Sequence, residues 1–256
     1  MAGLEGKLAL VTGASRGYGR AIARRLARDG ATVAVHYGSD DDAARSTVTL
    51  IEGDGGSAFV VKAPLDGSVA GVDVLFAGIE KGAAEHGRSS AVDIVVNNAA
   101  VCLRGTIEET TEAIFDESIN LNAKAPFFII KKALERMPDG GRIVNISSQT
   151  SLIPFPGIAA YTMTKGAIDR LTLALARHLA PRNITINALL PGIADTDMNA
   201  DWLRGKPDAE ASASVFSVFK RIADVTDIAD IVGFLVSHDA RWITGQLIDG
   251  GGGSGL

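Results

Sequence analysis

Short apolar runs recur along this chain, and most of them stop at a polar turn. Leu8-Ala-Leu-Val11 ends at Thr12-Gly13, after which a helical pattern carries Ile22, Ala23, Leu26 and Ala27 on one face until Asp29-Gly30. Thr32–Val35, Ala58–Val61, Asp93–Val96, Arg142–Ile146 and Ile184–Ala188 predict five further strands, with helical stretches at 43–52, 108–137 and 158–180 between them. The segment from Ile243 to Gly253 predicts a seventh short strand that ends in a flexible glycine run. Runs apolar on both faces, joined by crossovers too long for hairpins, predict a parallel sheet covered on both sides by helices. The expected architecture is a doubly wound α/β fold, one domain over residues 1–256. Ligands of such sheets bind beyond the carboxyl ends of the strands, where strand order reverses. Functional residues are therefore expected just after each strand.

One segment has a different texture. Residues 193–219 mix Trp202, Phe216 and Phe219 with Gly205, Pro207 and small or acidic residues, and they follow the sixth strand, where a lid can close over a ligand. Composition narrows the partners. At 46% hydrophobic and 21% charged the chain is a folded protein, and its net charge of −5, densest at Asp40, Asp41 and Asp42, excludes an extended basic surface for nucleic acid. Small molecules are the expected ligands, and no metal is called for. The lone Cys102 permits no intrachain disulfide, and no apolar run approaches the roughly 18 residues that span a bilayer. With no leader-like pattern at the N-terminus, the expectation is a cytoplasmic protein without membrane contact.

The 29 glycines gain meaning from position. Gly13, Gly17 and Gly19 sit between the first strand and its helix, where they let the backbone approach a pyrophosphate and the helix N-terminus directs N–H groups at it. An acid at the end of the second strand would favour a free ribose 2′-hydroxyl, but the sequence there is His36-Tyr37-Gly38-Ser39. Arg16 in the glycine turn and the Ser39 hydroxyl suit a 2′-phosphate. NADP(H) is therefore expected over NAD(H), with Asp40–Asp42 capping a helix and directing its charge elsewhere.

Tyr161 and Lys165 are four apart in a helical stretch, on one face. A phenol is a weak acid at neutral pH, and a nearby lysine cation favours its ionised form. The pair suits proton donation to a carbonyl, Ser148 thirteen residues earlier can hold the substrate oxygen, and Asn122 can extend a polar path towards the lysine.

Thr12-Gly-Ala-Ser-Arg-Gly-Tyr-Gly19, Asn97-Asn-Ala-Ala100, Asn122, Ser148, Tyr161-x-x-x-Lys165 and Pro191-Gly-Ile-Ala-Asp-Thr196 together resemble the short-chain dehydrogenase/reductases, in order and spacing from Gly3 to Gly252. The resemblance implies a Rossmann fold of about seven strands. It makes Tyr161 the general acid, Lys165 the residue that binds the nicotinamide ribose and lowers the tyrosine pKa, Ser148 the orienting hydroxyl, and Asn122 the holder of a relay water. It assigns the cofactor to Gly13, Ser15, Arg16, Gly17, Tyr18, Gly19, Tyr37, Gly38, Ser39, Leu65, Asp66, Asn98, Ala99, Ala100, Tyr161, Lys165, Pro191, Gly192, Ile193 and Thr196. Three positions depart from the family pattern. Ala100 replaces a glycine, Tyr18 stands where Ile or Leu is common, and Pro64 takes the place of an adenine-binding Asp, with Asp66 two residues on.

Within the family, Thr12–Ala27 and His36–Ser46 resemble the ketoreductases of bacterial aromatic polyketide pathways, especially the angucycline group. That resemblance implies a planar polycyclic ketone as substrate, reduced at C-6, in antibiotic biosynthesis. Val101, Leu103, Gln149, Phe155, Ile158, Ile193, Trp202 and Phe216 are the expected slot residues. A homotetramer or homodimer is implied too, through helices 108–137 and 158–180 and the last strand. Two other readings stay open. One is reduction of a 3-oxoacyl group on an acyl carrier protein, for which Arg104 is among few basic candidates at the mouth. The other is a non-catalytic NADP sensor, against which the intact Asn122, Ser148, Tyr161 and Lys165 set argues.

Overall fold

A computed structural model describes residues 3–153 and 155–254. Seven strands form one parallel sheet: β1 (Leu8–Val11), β2 (Thr32–Tyr37), β3 (Ser57–Lys62), β4 (Ile94–Asn97), β5 (Arg142–Ile146), β6 (Thr185–Pro191) and β7 (Leu247–Gly250). Their order is β3-β2-β1-β4-β5-β6-β7, so the direction of winding reverses between β1 and β4. The crevice at that reversal is where a ligand is expected.

Period-two alternation divides the core. Along β1, Ala9 and Val11 face the layer of α1 (Gly17–Arg28) and α8 (Val225–Val236), where Ile22, Leu26, Ile228 and Val232 are buried. Leu8 and Leu10 face the opposite layer, where Leu75, Phe76 and Ile79 of α3 (Val69–Glu85) pack with Ile129 and Ile130 of α5 (Ala125–Leu134). The sheet is apolar on both faces, as a parallel sheet sandwiched by helices must be. Neither α3, with seven Gly or Ala among its seventeen residues, nor α8 is among the helical stretches expected from the sequence. No helix among the described residues is long and apolar enough to cross a membrane.

Two stretches differ from the sequence expectation, and both border the site. The helical span 108–137 is α4 (Glu112–Ile119), then a π-helical turn at Asn120–Lys124, then α5. Pro126 explains the break: it has no N–H, and in a regular α-helix its ring would meet the carbonyl of Asn122, four residues back. Widening by one residue relieves that clash. The glycine run expected to be flexible is instead held. Gly252 O accepts from Val218 N at 3.0 Å, Gly250 O accepts from Gly192 N at 3.3 Å, and Gly251 lies so close to Gln149 that a Cβ would come within 2.6 Å of its amide nitrogen. Those glycines close the floor beside β6.

Candidate active site

All but two of the residues expected at the site border one cleft of about 1080 Å3 beyond the carboxyl ends of β1, β4, β5 and β6. The exceptions are Asp66 and Asn122. Asp66 lies outside the cleft, exposed, and accepts from Ser68 N at 2.9 Å where α3 begins; the Ser68 hydroxyl first, and this N–H second, hold its carboxyl below the usual range. It is a turn residue, and its neighbour Leu65 is the one that borders the cleft.

The glycine turn is braced from three sides. Gly13 takes φ +62°, open to glycine at little cost, and any Cβ on Gly19 would stand 2.2 Å from Gly13 O and 2.5 Å from the Asn98 amide. From β4, Asn98 Nδ2 donates to Thr12 O at 2.8 Å and to Gly13 O at 3.1 Å, while Thr12 Oγ1 accepts from Asn98 N and Ala99 N. The Asn98 amide nitrogen is therefore committed to holding the turn. From α1, Arg20 donates to Ser15 O at 2.6 Å and to Thr47 Oγ1 at 3.0 Å. From β2, His36 Nδ1 accepts from Gly13 N at 3.1 Å and its Nε2 lies 3.1 Å from Ala63 O. Those partners fix one neutral tautomer, with the proton on Nε2. Burial pushes the imidazole down to about 4, so it carries no charge near neutrality. Sequence reading missed His36, Arg20 and Thr47; a histidine inside an otherwise apolar strand was the available signal. The first N–H groups of α1, which have no intrahelical acceptor, are left to face the cleft. A rigid cradle of free donors suits a pyrophosphate.

Beyond the end of β2, Tyr37, Gly38 and Ser39 border the cleft together with Arg16. The acidic run is largely committed to its own surroundings. Asp40 accepts from Ala43 N at 2.9 Å as the cap of α2 (Asp41–Gly53), and Asp41 pairs with Lys62 at 2.8 Å. Arg16 pairs with Asp197 at 3.6 Å, with both side chains well exposed, so this contact is weak and easily exchanged. Two further contacts cross from the glycine turn to the segment after β6: Tyr18 donates to Gly192 O at 2.9 Å, and a Cβ on Gly17 would touch the Thr196 side chain at 3.5 Å. Tyr18 thus fills a bridging role that an Ile or Leu has no hydroxyl to perform. Ala100 is not among the positive-φ residues, so an alanine is accommodated there.

Tyr161 and Lys165 lie near the start of α6 (Ala159–Leu179), facing Ser147 and Ser148 at the end of β5, and both are buried. Lys165 Nζ is 5.5 Å from the Tyr161 ring centroid and donates to Ile146 O at 2.8 Å. Burial sets both pKa values. It pushes Lys165 down to about 8, with the buried Asp169 one turn further on opposing the shift. It raises the Tyr161 phenol above its usual 10; the nearby Cys102 adds to the rise, and the Ser148 hydroxyl opposes it. The depression of Tyr161 expected from its lysine is absent, and the shift runs the other way because of burial. The phenol is held protonated, the form a proton donor needs. Asn122 does not hang in the cleft. Its Oδ1 accepts from Val101 N at 2.9 Å, and its Nδ2 donates to Val101 O at 2.8 Å and to Thr164 Oγ1 at 3.2 Å, so it clips the loop after β4 to α6.

The remaining end of the cleft is apolar. Val101, Leu103, Phe155, Ile158, Ile193, Trp202 and Phe216 border it, with Phe155 and Phe216 edge to face at 5.9 Å. Gln149 borders it too, but its amide donates to Leu190 O and to the Asp249 carboxylate, so it fastens β6 to β7. Residues 193–219 form the outer wall, including α7 (Pro207–Ser214).

Sheet order, braced glycine turn and buried Tyr–Lys pair define a dinucleotide-dependent oxidoreductase. A family model described as enoyl-(acyl carrier protein) reductase matches residues 13–254. The angucycline C-6 ketoreductase LanV, solved with bound NADP, is 48% identical over 98% of this chain and 96% of its own, with a TM-score of 0.93. LugOII, a promiscuous reductase that catalyses keto-reduction at C1 during lugdunomycin biosynthesis, is 47% identical with both chains fully covered and a TM-score of 0.94. Tetrahydroxynaphthalene reductase of Pyricularia oryzae is 35% identical over 98% of this chain and 90% of its own length. The chain belongs to the short-chain dehydrogenase/reductase family.

Proposed function

We propose that the protein is an NADPH-dependent ketoreductase acting on a ring ketone of a polycyclic aromatic polyketide, of the angucycline type reduced at C-6, in antibiotic biosynthesis. One observation carries the reading: Tyr161, Lys165 and Ser148 border the same cleft as a slot walled by Leu103, Phe155, Ile158, Trp202 and Phe216. The similarity to LanV and LugOII supports it.

Bound NADPH supplies the hydride. The residues that would hold it run from the braced turn to the loop after β6: Gly13, Ser15, Gly17, Tyr18 and Gly19 at the pyrophosphate, Tyr37, Gly38, Leu65, Asn98, Ala99 and Ala100 along the adenosine, and Pro191, Gly192, Ile193 and Thr196 near the nicotinamide. Arg16 and Ser39 at the rim, with no acid in the place of Tyr37, favour the 2′-phosphate. Tyr161 delivers its phenolic proton to the carbonyl oxygen, and Ser148 donates a hydrogen bond to that oxygen as negative charge develops on it. Lys165, charged below about pH 8, stabilises the phenolate left behind. Asn122 fixes Val101 and Thr164 on either side of this set. Residues 193–219 serve as the lid of one domain. The proposed assembly is a homotetramer or homodimer in the cytoplasm.

The test is the fall in NADPH absorbance with purified protein, offered polycyclic aromatic ketones and, separately, a 3-oxoacyl thioester. Preference for the ketones supports the reading. Faster turnover of the thioester would replace it with acyl-carrier chemistry.

A further inference from the structure

At the mouth of the cleft, opposite walls meet through one pair of side chains. Arg104, from the loop after β4, lies with its guanidinium carbon 5.5 Å from the centre of the Trp202 ring, which belongs to the segment after β6. Both backbones are anchored. Gly105 N donates to Gly157 O at 2.9 Å, tying the first loop to the entry of α6. The Trp202 indole N–H donates to Asn199 Oδ1 at 3.0 Å, and Asn199 Nδ2 donates to Ala194 O at 3.0 Å, which fixes the plane of the ring.

The other cations bordering the cleft have partners: Arg16 has Asp197, and Lys165 has Ile146 O. Arg104 forms no ion pair among the described residues. Lying over an aromatic face, a guanidinium keeps its in-plane N–H fork free, and that fork matches a carboxylate or a phenolate flanked by a second oxygen. Arg104, Cys102 two residues before it, and Lys165 border the same cleft. A flat ring system resting on Trp202 therefore meets a proton donor at one place and an anion receptor at another.

We propose that Arg104, seated on Trp202, selects aromatic ketones that carry an acidic oxygen, a carboxylate or an ionised phenol, away from the carbonyl that is reduced. This rests on the ketoreductase reading and adds the class of substrate. An acidic oxygen held at Arg104 also fixes the direction in which the ring system lies in the cleft.

The experiment has two arms. The chain has two tryptophans, Trp202 and the almost fully exposed Trp242, so in a Trp242→Phe background emission reports Trp202 alone. With NADP+ present, 1-hydroxy-2-naphthoate is expected to quench that emission at least tenfold more tightly than 1-hydroxy-2-naphthamide. Arg104→Gln is expected to abolish the difference, and Arg104→Lys to restore part of it. In the kinetic arm, Arg104→Gln lowers the ratio of kcat/KM for an acidic ketone to that for its amide by about tenfold. Equal quenching by both probes, or a ratio unchanged by Arg104→Gln, would overturn the proposal even with ketone reduction intact. Loss confined to a carrier-bound thioester would also overturn it, in favour of a protein-docking role. Naphthoate selectivity without turnover of any aromatic ketone would instead remove the ketoreductase reading and leave the anion receptor standing.

Discussion

Replacing His36 with leucine removes one side chain and orphans two buried backbone groups at once. Gly13 N loses its acceptor and Ala63 O its donor, at sites where the imidazole is 2% exposed and water cannot substitute readily. Each unpaired buried group costs about 1–3 kcal/mol, so the loss is about 2–6 kcal/mol. Against a total stability of about 5–15 kcal/mol this lowers Tm by roughly 5–20 °C. The cofactor should feel it as well, because Gly13 belongs to the turn, and NADPH binding is expected to weaken about tenfold. Two partial mimics separate the bonds. Asparagine can reach only the place of Nδ1 and so keeps the Gly13 bond; glutamine can reach only the place of Nε2 and so keeps the Ala63 bond. NADPH affinity should therefore follow the order parent, His36→Asn, His36→Gln, His36→Leu. Titration of NADPH fluorescence and thermal unfolding measure both quantities. An unchanged Kd in His36→Leu, or glutamine binding better than asparagine, would refute the clamp. The same residue sets an acid limit. Its pKa is about 4 when folded against 6.5 for the free group, so the unfolded chain binds the extra proton between those values. Stability is complete above about pH 6.5 and falls by about 3 kcal/mol as pH drops to about 4, a loss that His36→Gln should not show.

Further expectations concern the catalytic and cofactor residues. Lys165 loses its charge near pH 8, so kcat/KM for ketone reduction should fall as pH rises through about 8, and a profile flat from about pH 6 to pH 10 would contradict the role given to it. Arg16→Ala should reduce the preference for NADPH over NADH by about tenfold through loss of a charge-assisted contact, while NADH kinetics barely change. Equal efficiency with the two cofactors in the parent would remove the roles of Arg16 and Ser39 together.

The sheet was legible because its strands are apolar on both faces and its crossovers are long, and the Tyr161–Lys165 pair because helical spacing alone puts both on one face. The glycine turn was legible as a turn but not as a braced one. Asn98, His36 and Thr47 hold it through bonds to backbone atoms distant in sequence, and Arg20 through the nearby Ser15 O and the distant Thr47 hydroxyl, pairings that no local pattern reports. The π-helical turn at Asn122 was foreshadowed by Pro126, which sits within a stretch that otherwise reads as one helix. Asp66 illustrates the opposite error. An acid two residues from an expected position is attractive in sequence, but Ser68 and the start of α3 claim it. The rise in the Tyr161 pKa was also beyond the sequence, since proximity of a lysine follows from spacing whereas burial follows only from the packed fold.

The most direct test of the account is single-turnover ketone reduction by Tyr161→Phe with NADPH. Phenylalanine keeps the ring and its packing and removes only the proton donor. With cofactor affinity unchanged, the rate should fall by about a hundredfold or more. A variant that binds NADPH and reduces the ketone as fast as the parent would show that Tyr161 is not the acid.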